Sequence, residues 1–379
     1  MSIYLDNAAT TKVYEIVIKK NTEILENCYG NPSSLHSLGL LAQKEIDIAR
    51  EQIASSLCCE QKEIIFTSGG TEANNISILG SVYALKRRGN RIITTAIEHP
   101  SVLNTMKYLE EQGFEVIYIM PTNGKIEQND ILNAIDNKTI LVSAMLVNNE
   151  TGELLPIKGI KQELKKISPF ALFHCDAVQA YGKVKINVND LEVDLLTISG
   201  HKIHCPKGVG ALYIRNGVHI KPITFGGGQE NSLRNGTENV SGIAAFGLSS
   251  KIKFEKFNED IEKIFKFYTY FINELKKAFP NAIINSQDTA IPHIINFSLI
   301  GYRSEIILHF LESRGIFISS GSACSSKKNS ASHVLKAMGL QKKIYDSALR
   351  VSFSAFNTIE EIDEFIETLN EGTKTLIKN

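Results

Sequence analysis

The segment FISSGSACSSKKNSA, residues 317–331, surrounds Cys324 with serines, glycines and lysines. Structural cysteines are usually buried among apolar neighbours, so this setting predicts an accessible thiol on an exposed loop. Such a thiol could act as a nucleophile or carry a group from one site to another.

A second group of reactive residue types lies near the middle of the chain. Lys202, within SGHKIHCPKG (199–208), follows the apolar run LLTIS and suits a lysine nucleophile that attaches to a carbonyl. Asp176, within HCDAVQ, ends another apolar run and could hold a proton on a pyridine nitrogen. The ordinary alternatives are a surface lysine and a carboxylate that caps a helix or forms a buried salt bridge.

Two further motifs could bind an anion or an aromatic ring. TSGGTEANN (67–75) would direct backbone N–H groups at an anion, assisted by the dipole of the following helix. His99, within IEHP, could stack on an aromatic cofactor or transfer protons. An ordinary strand–helix turn and a hydrogen-bonded loop histidine are the alternatives.

The elements that would position these residues alternate between short apolar runs and stretches of helical length. Because such alternation is typical of a parallel sheet covered on both faces, we predict an α/β fold. All four motifs follow strands, and ligands of open α/β sheets bind at the carboxyl ends of strands. Together they supply the groups that pyridoxal phosphate requires. The predicted strands are residues 63–68, 91–97, 115–120, 139–147, 171–178, 195–200 and 210–215.

The alternation of strands and helices stops after about Gly236, and a long charge-rich helical stretch runs from there to about Phe279. The apolar runs HIINFSLI and ALRVSFS predict further strands, and a helix follows Thr358. We therefore expect a large domain over residues 1–255 and a smaller α/β domain over 256–379 that carries the Cys324 loop. Residues 1–20 are expected to pack with the smaller domain.

The overall composition excludes several classes of protein. The 379 residues contain 41 Lys and Arg against 41 Asp and Glu, so no net charge favours nucleic acid or an anionic membrane. The sequence has no apolar run of membrane-spanning length and no secretion signal at MSIYLDNAATT, which predicts a cytoplasmic protein. Six cysteines lack the spacing of a metal site, so we expect free thiols and no intrinsic metal.

Many motifs together resemble one known family, the cysteine desulfurases of the NifS/IscS type. These belong to the class V aminotransferase group of fold-type I pyridoxal phosphate enzymes. The resemblance runs from Tyr4 to about Ser354 and so covers nearly the whole chain. It implies a mostly parallel seven-stranded sheet flanked by helices. The matching motifs are YLDNAATT, GNPSSLHSLG, FTSGGTEANN, VNNETG, HCDAVQAYGK, SGHKIHCPKGVGALYIR, FGGGQE, RNGTEN and SSGSACSS.

The resemblance assigns expected roles to individual residues. Lys202 would bind pyridoxal 5'-phosphate covalently, and Cys324 would form the persulfide. Asn149 and Arg350 would orient the cofactor and the substrate, and a guanidinium suits an amino-acid carboxylate. For the cofactor ring, Asp176 would pair with the ring nitrogen, Gln179 would pair with the ring hydroxyl, and His99 would stack on the ring. The residues expected to bind the cofactor phosphate are Gly70, Thr71, Ser199 and His201, together with Thr237 from a neighbouring subunit.

The implied activity removes sulfur from L-cysteine, leaving L-alanine and a persulfide on Cys324. A homodimer would pass this sulfur to an acceptor such as an iron–sulfur scaffold or a tRNA-thiolation protein, where Cys324 could transiently share a cluster. Alternatives are a selenocysteine lyase, a cysteine sulfinate desulfinase or another aminotransferase-type enzyme, and a non-catalytic binding relative. The sequence lacks the glycine fingerprint of a nucleotide-binding oxidoreductase.

Three features depart from the family pattern. Cys205 stands near Lys202 where glycine is usual, and it adds a second thiol beside the expected cofactor site. Asn231 and Ser232 replace the usual Arg-Gly pair, which affects expected subunit contacts. The chain also stops soon after its last predicted helix, without the longer tail that some members use to bind a scaffold.

Overall fold

The computed structural model describes residues 2–320 and 332–376. The strands are β1 (Ile3–Tyr4), β2 (Ile64–Thr67), β3 (Arg91–Thr95), β4 (Glu115–Ile119), β5 (Thr139–Met145), β6 (Leu172–Asp176), β7 (Leu195–Ser199), β8 (Gly210–Ile214), β9 (Ile283–Ile284), β10 (Ile294–Ser298), β11 (Ile316–Phe317) and β12 (Ala348–Ser352). The helices are α1 (Glu15–Asn27), α2 (Ser37–Leu57), α3 (Gly70–Leu85), α4 (Pro100–Glu111), α5 (Gln128–Leu132), α6 (Ile160–Ile167), α7 (Val188–Leu191), α8 (Val240–Glu255), α9 (Phe257–Ala278), α10 (Ser304–Ser313), α11 (His333–Ala337), α12 (Lys342–Tyr345) and α13 (Ile359–Thr375).

The main sheet of the described chain has seven strands in the order β2-β8-β7-β6-β5-β3-β4. Strands β7, β6, β5, β3 and β4 run parallel to one another, whereas β8 is antiparallel to both β2 and β7. Each strand lies within one of the seven apolar runs. The predicted α/β class and mostly parallel seven-stranded sheet are therefore confirmed.

Consecutive apolar side chains of the central strands enter different core clusters. Ile92 and Leu141 join the cluster that contains residues of α3 and α4, whereas Ile93 and Val142 join the cluster that contains residues of α2. Side chains of a strand alternate between the two faces of a sheet, so both faces are covered by helices. This coverage explains why the strands read as continuous apolar runs rather than as alternating ones.

The C-terminal part of the chain builds a third core cluster. Strands β12, β10 and β9 form an antiparallel sheet, and its apolar residues pack with those of α9 and α13. The same cluster includes Ile3 and Leu5, because β1 pairs in parallel with β11. The long helical stretch is two helices that meet at Lys256. We propose this junction, after residue 255, as the boundary between a large and a small domain.

No helix in residues 2–320 and 332–376 combines the length and the apolar character that crossing a membrane requires. Cysteines 28, 58, 59, 175 and 205 are free thiols in the structure.

Candidate active site

A cavity of about 360 Å³ opens where the carboxyl ends of the central strands meet the starts of α3 and α4. This volume lies within the usual range for ligand pockets. Of the predicted site residues, Gly70, Thr71, His99, Asn149, Asp176, Gln179, Ser199, His201, Lys202 and Arg350 all line it. The exposed Thr237 does not line it, and Cys324 lies outside the described residues.

Lys202 reaches the cavity from a tight turn that follows β7. The chain leaves the sheet after Ser199, and residues Gly200–Lys202 form one 3-10 turn. The Nζ atom of Lys202 donates hydrogen bonds to the carbonyl oxygens of Ala8 at 2.6 Å and Ala9 at 2.7 Å. The N-terminal segment therefore orients the amine in the cavity.

Asp176 is the last residue of β6 and is almost completely buried. Its Oδ2 accepts a hydrogen bond from Asn74 Nδ2 at 2.8 Å, and its Oδ1 accepts one from the backbone N–H of Val178 at 2.9 Å. These two hydrogen bonds fix the orientation of the carboxyl group at the cavity wall.

His99 is the N-cap residue of α4, and Pro100 occupies the first helical position, where it is favoured. Its Nδ1 accepts a hydrogen bond from the backbone N–H of Ser101 at 3.1 Å and lies 2.8 Å from Ser101 Oγ. Burial lowers the pKa of the imidazole, and Lys202 lowers it further, against the opposing effect of Asp176. A neutral ring fixed in this way can accept a proton or stack on an aromatic group.

The start of α3 has the features of an anion site. A Cβ atom added at Gly70 would lie 2.7 Å from Val178 Cγ2, so a larger residue there would clash with another residue of the cavity wall. Ser199 Oγ is buried without a hydrogen-bond partner in the described structure. An unsatisfied hydroxyl beside a helix N-terminus fits a phosphate group. Burial first, and then Lys202, lower the pKa of the neighbouring His201 to about 3.

Arg350 lies on β12 and brings a positive charge to the cavity. Its Nη2 pairs with Asp6 Oδ1 at 2.7 Å, and its Nη1 donates to the backbone oxygen of Asn149 at 2.8 Å. The Nε atom is buried without a partner in the described structure. The guanidinium is thus held at one edge and retains a donor for a ligand carboxylate.

Several residues of the site were missed by sequence reasoning. Asn74 and Asp6 hold Asp176 and Arg350, and both lie within motifs quoted for the resemblance, FTSGGTEANN and YLDNAATT. Glu150, from VNNETG, lines the cavity and accepts a hydrogen bond from Ser332 Oγ at 2.5 Å. Burial raises the pKa of Glu150 to about 7. His333 lines the cavity too, but it follows the motif SSGSACSS, and no residue-level signal marked it.

The structure settles where the unusual Cys205 lies. The residue is buried in a core cluster, and burial raises the pKa of its thiol. Its Sγ would lie 2.9 Å from a Cβ at Gly200, so the side chain packs beneath the turn that carries Lys202. Cys205 does not line the cavity, and it is a packing residue there rather than a second reactive thiol. Asn231 and Ser232 are exposed and adopt positive φ angles of 56° and 63°.

Comparison with known proteins gives a consistent result. Residues 3–365 match the family described as Aminotransferase class-V. Over 371 residues the chain is 42% identical to cysteine desulfurase IscS of Clostridium botulinum (strain Hall), an alignment that covers 97% of this chain and 93% of the relative.

Two solved structures are similar in fold as well as sequence. One, titled NifS-like protein, superposes with a TM-score of 0.93 at 36% identity and covers 99% of this chain and 100% of that one. The other, titled SspA in complex with cysteine, superposes with a TM-score of 0.79 at 33% identity and covers 94% of this chain and 100% of that one. With the match to the family, these comparisons show that the chain belongs to the class-V aminotransferases, among relatives named cysteine desulfurases.

Proposed function

We propose that this protein is a pyridoxal-phosphate-dependent cysteine desulfurase, which converts L-cysteine to L-alanine and a persulfide on Cys324. The observation that carries the proposal is the single cavity into which Lys202, Asp176, His99 and Arg350 converge. The relative from Clostridium botulinum, at 42% identity, is named for this activity.

The residues of the cavity suit pyridoxal phosphate. The backbone at Gly70 and Thr71, the unpartnered Ser199 hydroxyl and His201 would hold the phosphate, to which a second subunit would add Thr237. Asp176 would pair with the ring nitrogen, Gln179 with the ring hydroxyl, and His99 would stack on the ring. When bound, the cofactor supplies an electron sink for the substrate.

Arg350 would bind the carboxylate of the substrate, with Asn149 beside it. The buried Nε of Arg350 has no partner in the described structure, and a carboxylate would satisfy it. The structure titled SspA in complex with cysteine, a relative at 33% identity, supports cysteine as the ligand class.

The protein's own residues would then move the protons and the sulfur. The Lys202 amine takes a proton from Cα of the substrate, and His99 assists in proton return. The Cys324 thiolate attacks the substrate sulfur, so an S–S bond forms as the Cβ–S bond breaks. The electron pair of that bond stays with the three-carbon product and is protonated to give L-alanine. At pH 7 only a few per cent of an ordinary thiol, of pKa about 8.5, is ionised, so Cys324 needs a group that favours its thiolate.

A homodimer and a sulfur-acceptor protein complete the proposal. Thr237 is exposed in the single chain, as a residue that serves a neighbouring subunit's phosphate site would be. The acceptor would be an iron–sulfur scaffold or a tRNA-thiolation protein.

Incubation of the purified protein with L-cysteine tests the activity directly, by measurement of alanine and of protein-bound persulfide. The wild type should be yellow and lose its colour with borohydride. Lys202→Ala should lose the colour, whereas Cys324→Ser should keep it and form no persulfide. Cys58→Ser, which changes an exposed cysteine, is the matched control and should behave as the wild type. Normal sulfur release by Cys324→Ser would refute the assignment of the nucleophile.

A further inference from the structure

A buried lysine that has no role in the proposed reaction lies directly behind the cavity. Lys183 is 6% exposed, and its Nζ lies 2.7 Å from Gln179 Oε1 and 3.2 Å from the Gln179 backbone oxygen. A buried amine is costly unless its hydrogens are bonded. Both acceptors of this amine belong to one residue, and that residue lines the cavity.

The amine fixes the orientation of the Gln179 carboxamide. With Oε1 facing Lys183, Nε2 faces the opposite way and donates to the Ala8 carbonyl oxygen at 2.7 Å. The reversed amide would place Oε1 against Ala8 O, two acceptors in contact, and Nε2 against Nζ. Because a neutral amine keeps two N–H groups, Lys183 can donate to Gln179 in either protonation state.

Nε2 carries two hydrogens, and Ala8 O accepts one of them. Its position on the cavity wall makes the second hydrogen available to a ligand group. That donor is useful only while the amide cannot rotate. Lys183, bonded to Oε1, and Ala8 O, bonded to Nε2, therefore hold the amide in one orientation.

The surroundings of Lys183 favour an anion at this wall. Burial lowers the pKa of Lys183 well below its usual range, and the charges of Lys202, Lys253 and Arg350 lower it further. The charged groups that lower it are all cations, of which Lys253 is paired with Asp260 and Arg350 with Asp6. Lys183 in turn lowers the pKa of His201, His204 and His293. A ring hydroxyl in its anionic form would be stabilised by these charges and by the Gln179 donor.

We propose that Lys183 is a positioning residue that acts through Gln179, holding its amide as a donor to the ring hydroxyl of pyridoxal phosphate. The proposal rests on the proposed function and names a residue that the resemblance did not assign. Lys183 itself does not line the cavity, so its effect on the cofactor passes through the amide.

Lys183→Met tests the proposal, with Lys185→Met, an exposed lysine two residues on, as the matched control. A hydrogen bond to an anion lowers its pKa, so loss of the bond raises it. The pH midpoint of the cofactor's absorbance change should rise by about one unit in Lys183→Met, the effect expected for one hydrogen bond to a charged group. The dissociation constant for pyridoxal phosphate should rise about tenfold. Lys185→Met should change neither.

A variant without Gln179 distinguishes two ways in which Lys183 could affect the cofactor. One is through the Gln179 amide, and the other is directly through the charge of the lysine. In a Gln179→Leu background, Lys183→Met should shift the midpoint no further, because the amide that it positions is gone. A shift of the same size in both backgrounds would overturn the proposal, as would a folded Lys183→Met protein with the wild-type midpoint and cofactor affinity.

If Lys183→Met does not fold, Lys183→Gln, which keeps a donor, replaces it in the same assays. We then expect a smaller upward shift that again disappears without Gln179, and an unchanged midpoint would overturn the proposal. Failure of the proposed function would differ visibly, since the wild type itself would then bind no pyridoxal phosphate or release no alanine from cysteine.

Discussion

At the scale of single residues, Asp176 shows what the sequence could and could not predict. Its position at the end of an apolar run predicted a carboxylate in need of a partner. Its partner is Asn74, 102 positions earlier in the chain, and no spacing rule joins the two residues. The contact exists because α3 packs against the sheet that contains β6. The sequence thus predicts the reactive groups, and the fold supplies the neighbours that orient them.

Lys202 and Arg350 are likewise oriented by partners that are distant in the sequence. The Lys202 amine is held by main-chain oxygens of Ala8 and Ala9, which have no side-chain signature, and Arg350 is held by Asp6. Such partners become visible only when the N-terminal segment is placed beside β7 and β12. Cys324 was the residue most readily singled out by its local composition, and its assigned role stays a prediction.

Glu98 is a buried carboxyl group beside the site and carries a pH prediction. It is fully buried, its Oε1 accepts from Thr95 Oγ1 and Met145 N, and its Oε2 has no partner in the described structure. Burial raises its pKa to about 8. A raised carboxyl pKa stabilises the fold below the usual carboxyl pKa, and this stability is lost as pH rises through the folded value.

We therefore expect Glu98→Gln to gain stability relative to the wild type as pH increases. Between pH 6 and pH 9 the difference in unfolding free energy should change by on the order of 2 kcal/mol in favour of the variant. Urea denaturation at both pH values measures it, with the exposed Glu111→Gln as control. A difference that does not vary with pH would show that Glu98 keeps an ordinary pKa in the fold.

At the scale of elements, the strands were easier to predict than the helix boundaries. Strands of a covered sheet are buried on both faces, so each leaves a continuous apolar run. The junction of α8 and α9 at Lys256 has no glycine or proline to mark it. Short-range contacts bridge it instead, because Phe254 stacks on Phe257 and Lys253 forms a buried ion pair with Asp260. None of these residue types breaks a helix, so the sequence pattern predicts one continuous helix.

Helix α13 has a local start signal and supplies a prediction at this scale. Thr358 Oγ1 accepts from Glu361 N at 3.3 Å, and Glu361 Oε2 accepts from Thr358 N at 3.2 Å, which is a capping box. Thr358→Ala should lower the free energy of unfolding by about 1 kcal/mol. Thr358→Ser keeps the hydroxyl and should therefore lower the free energy of unfolding by less than Thr358→Ala. Equal losses in both variants, measured by urea denaturation, would assign the effect to the threonine methyl group instead.

At the scale of the whole molecule, the N-terminal segment links the cores to the cavity. Leu5 is completely buried in the C-terminal core cluster, while Ala8, three residues later, belongs to a cluster of the main sheet. The backbone of Leu5 bonds to Phe317 O at 2.9 Å and to Ser352 N at 2.7 Å. Asp6 and Ala8, on either side of Asn7, hold Arg350 and Lys202. Packing of this short segment and geometry of the site are therefore coupled.

This coupling predicts two effects of one substitution remote from the reacting groups. Leu5→Ala should lower the free energy of unfolding by about 2–5 kcal/mol, the cost of a cavity in a packed core. Because Asp6 would lose its fixed position, the KM for L-cysteine should also rise in the protein that remains folded, through misplacement of Arg350. Leu25→Ala, at a residue that is 62% exposed on α1, should change neither quantity. A destabilised Leu5→Ala enzyme with the wild-type KM would show that the site keeps its geometry independently of the N-terminal packing.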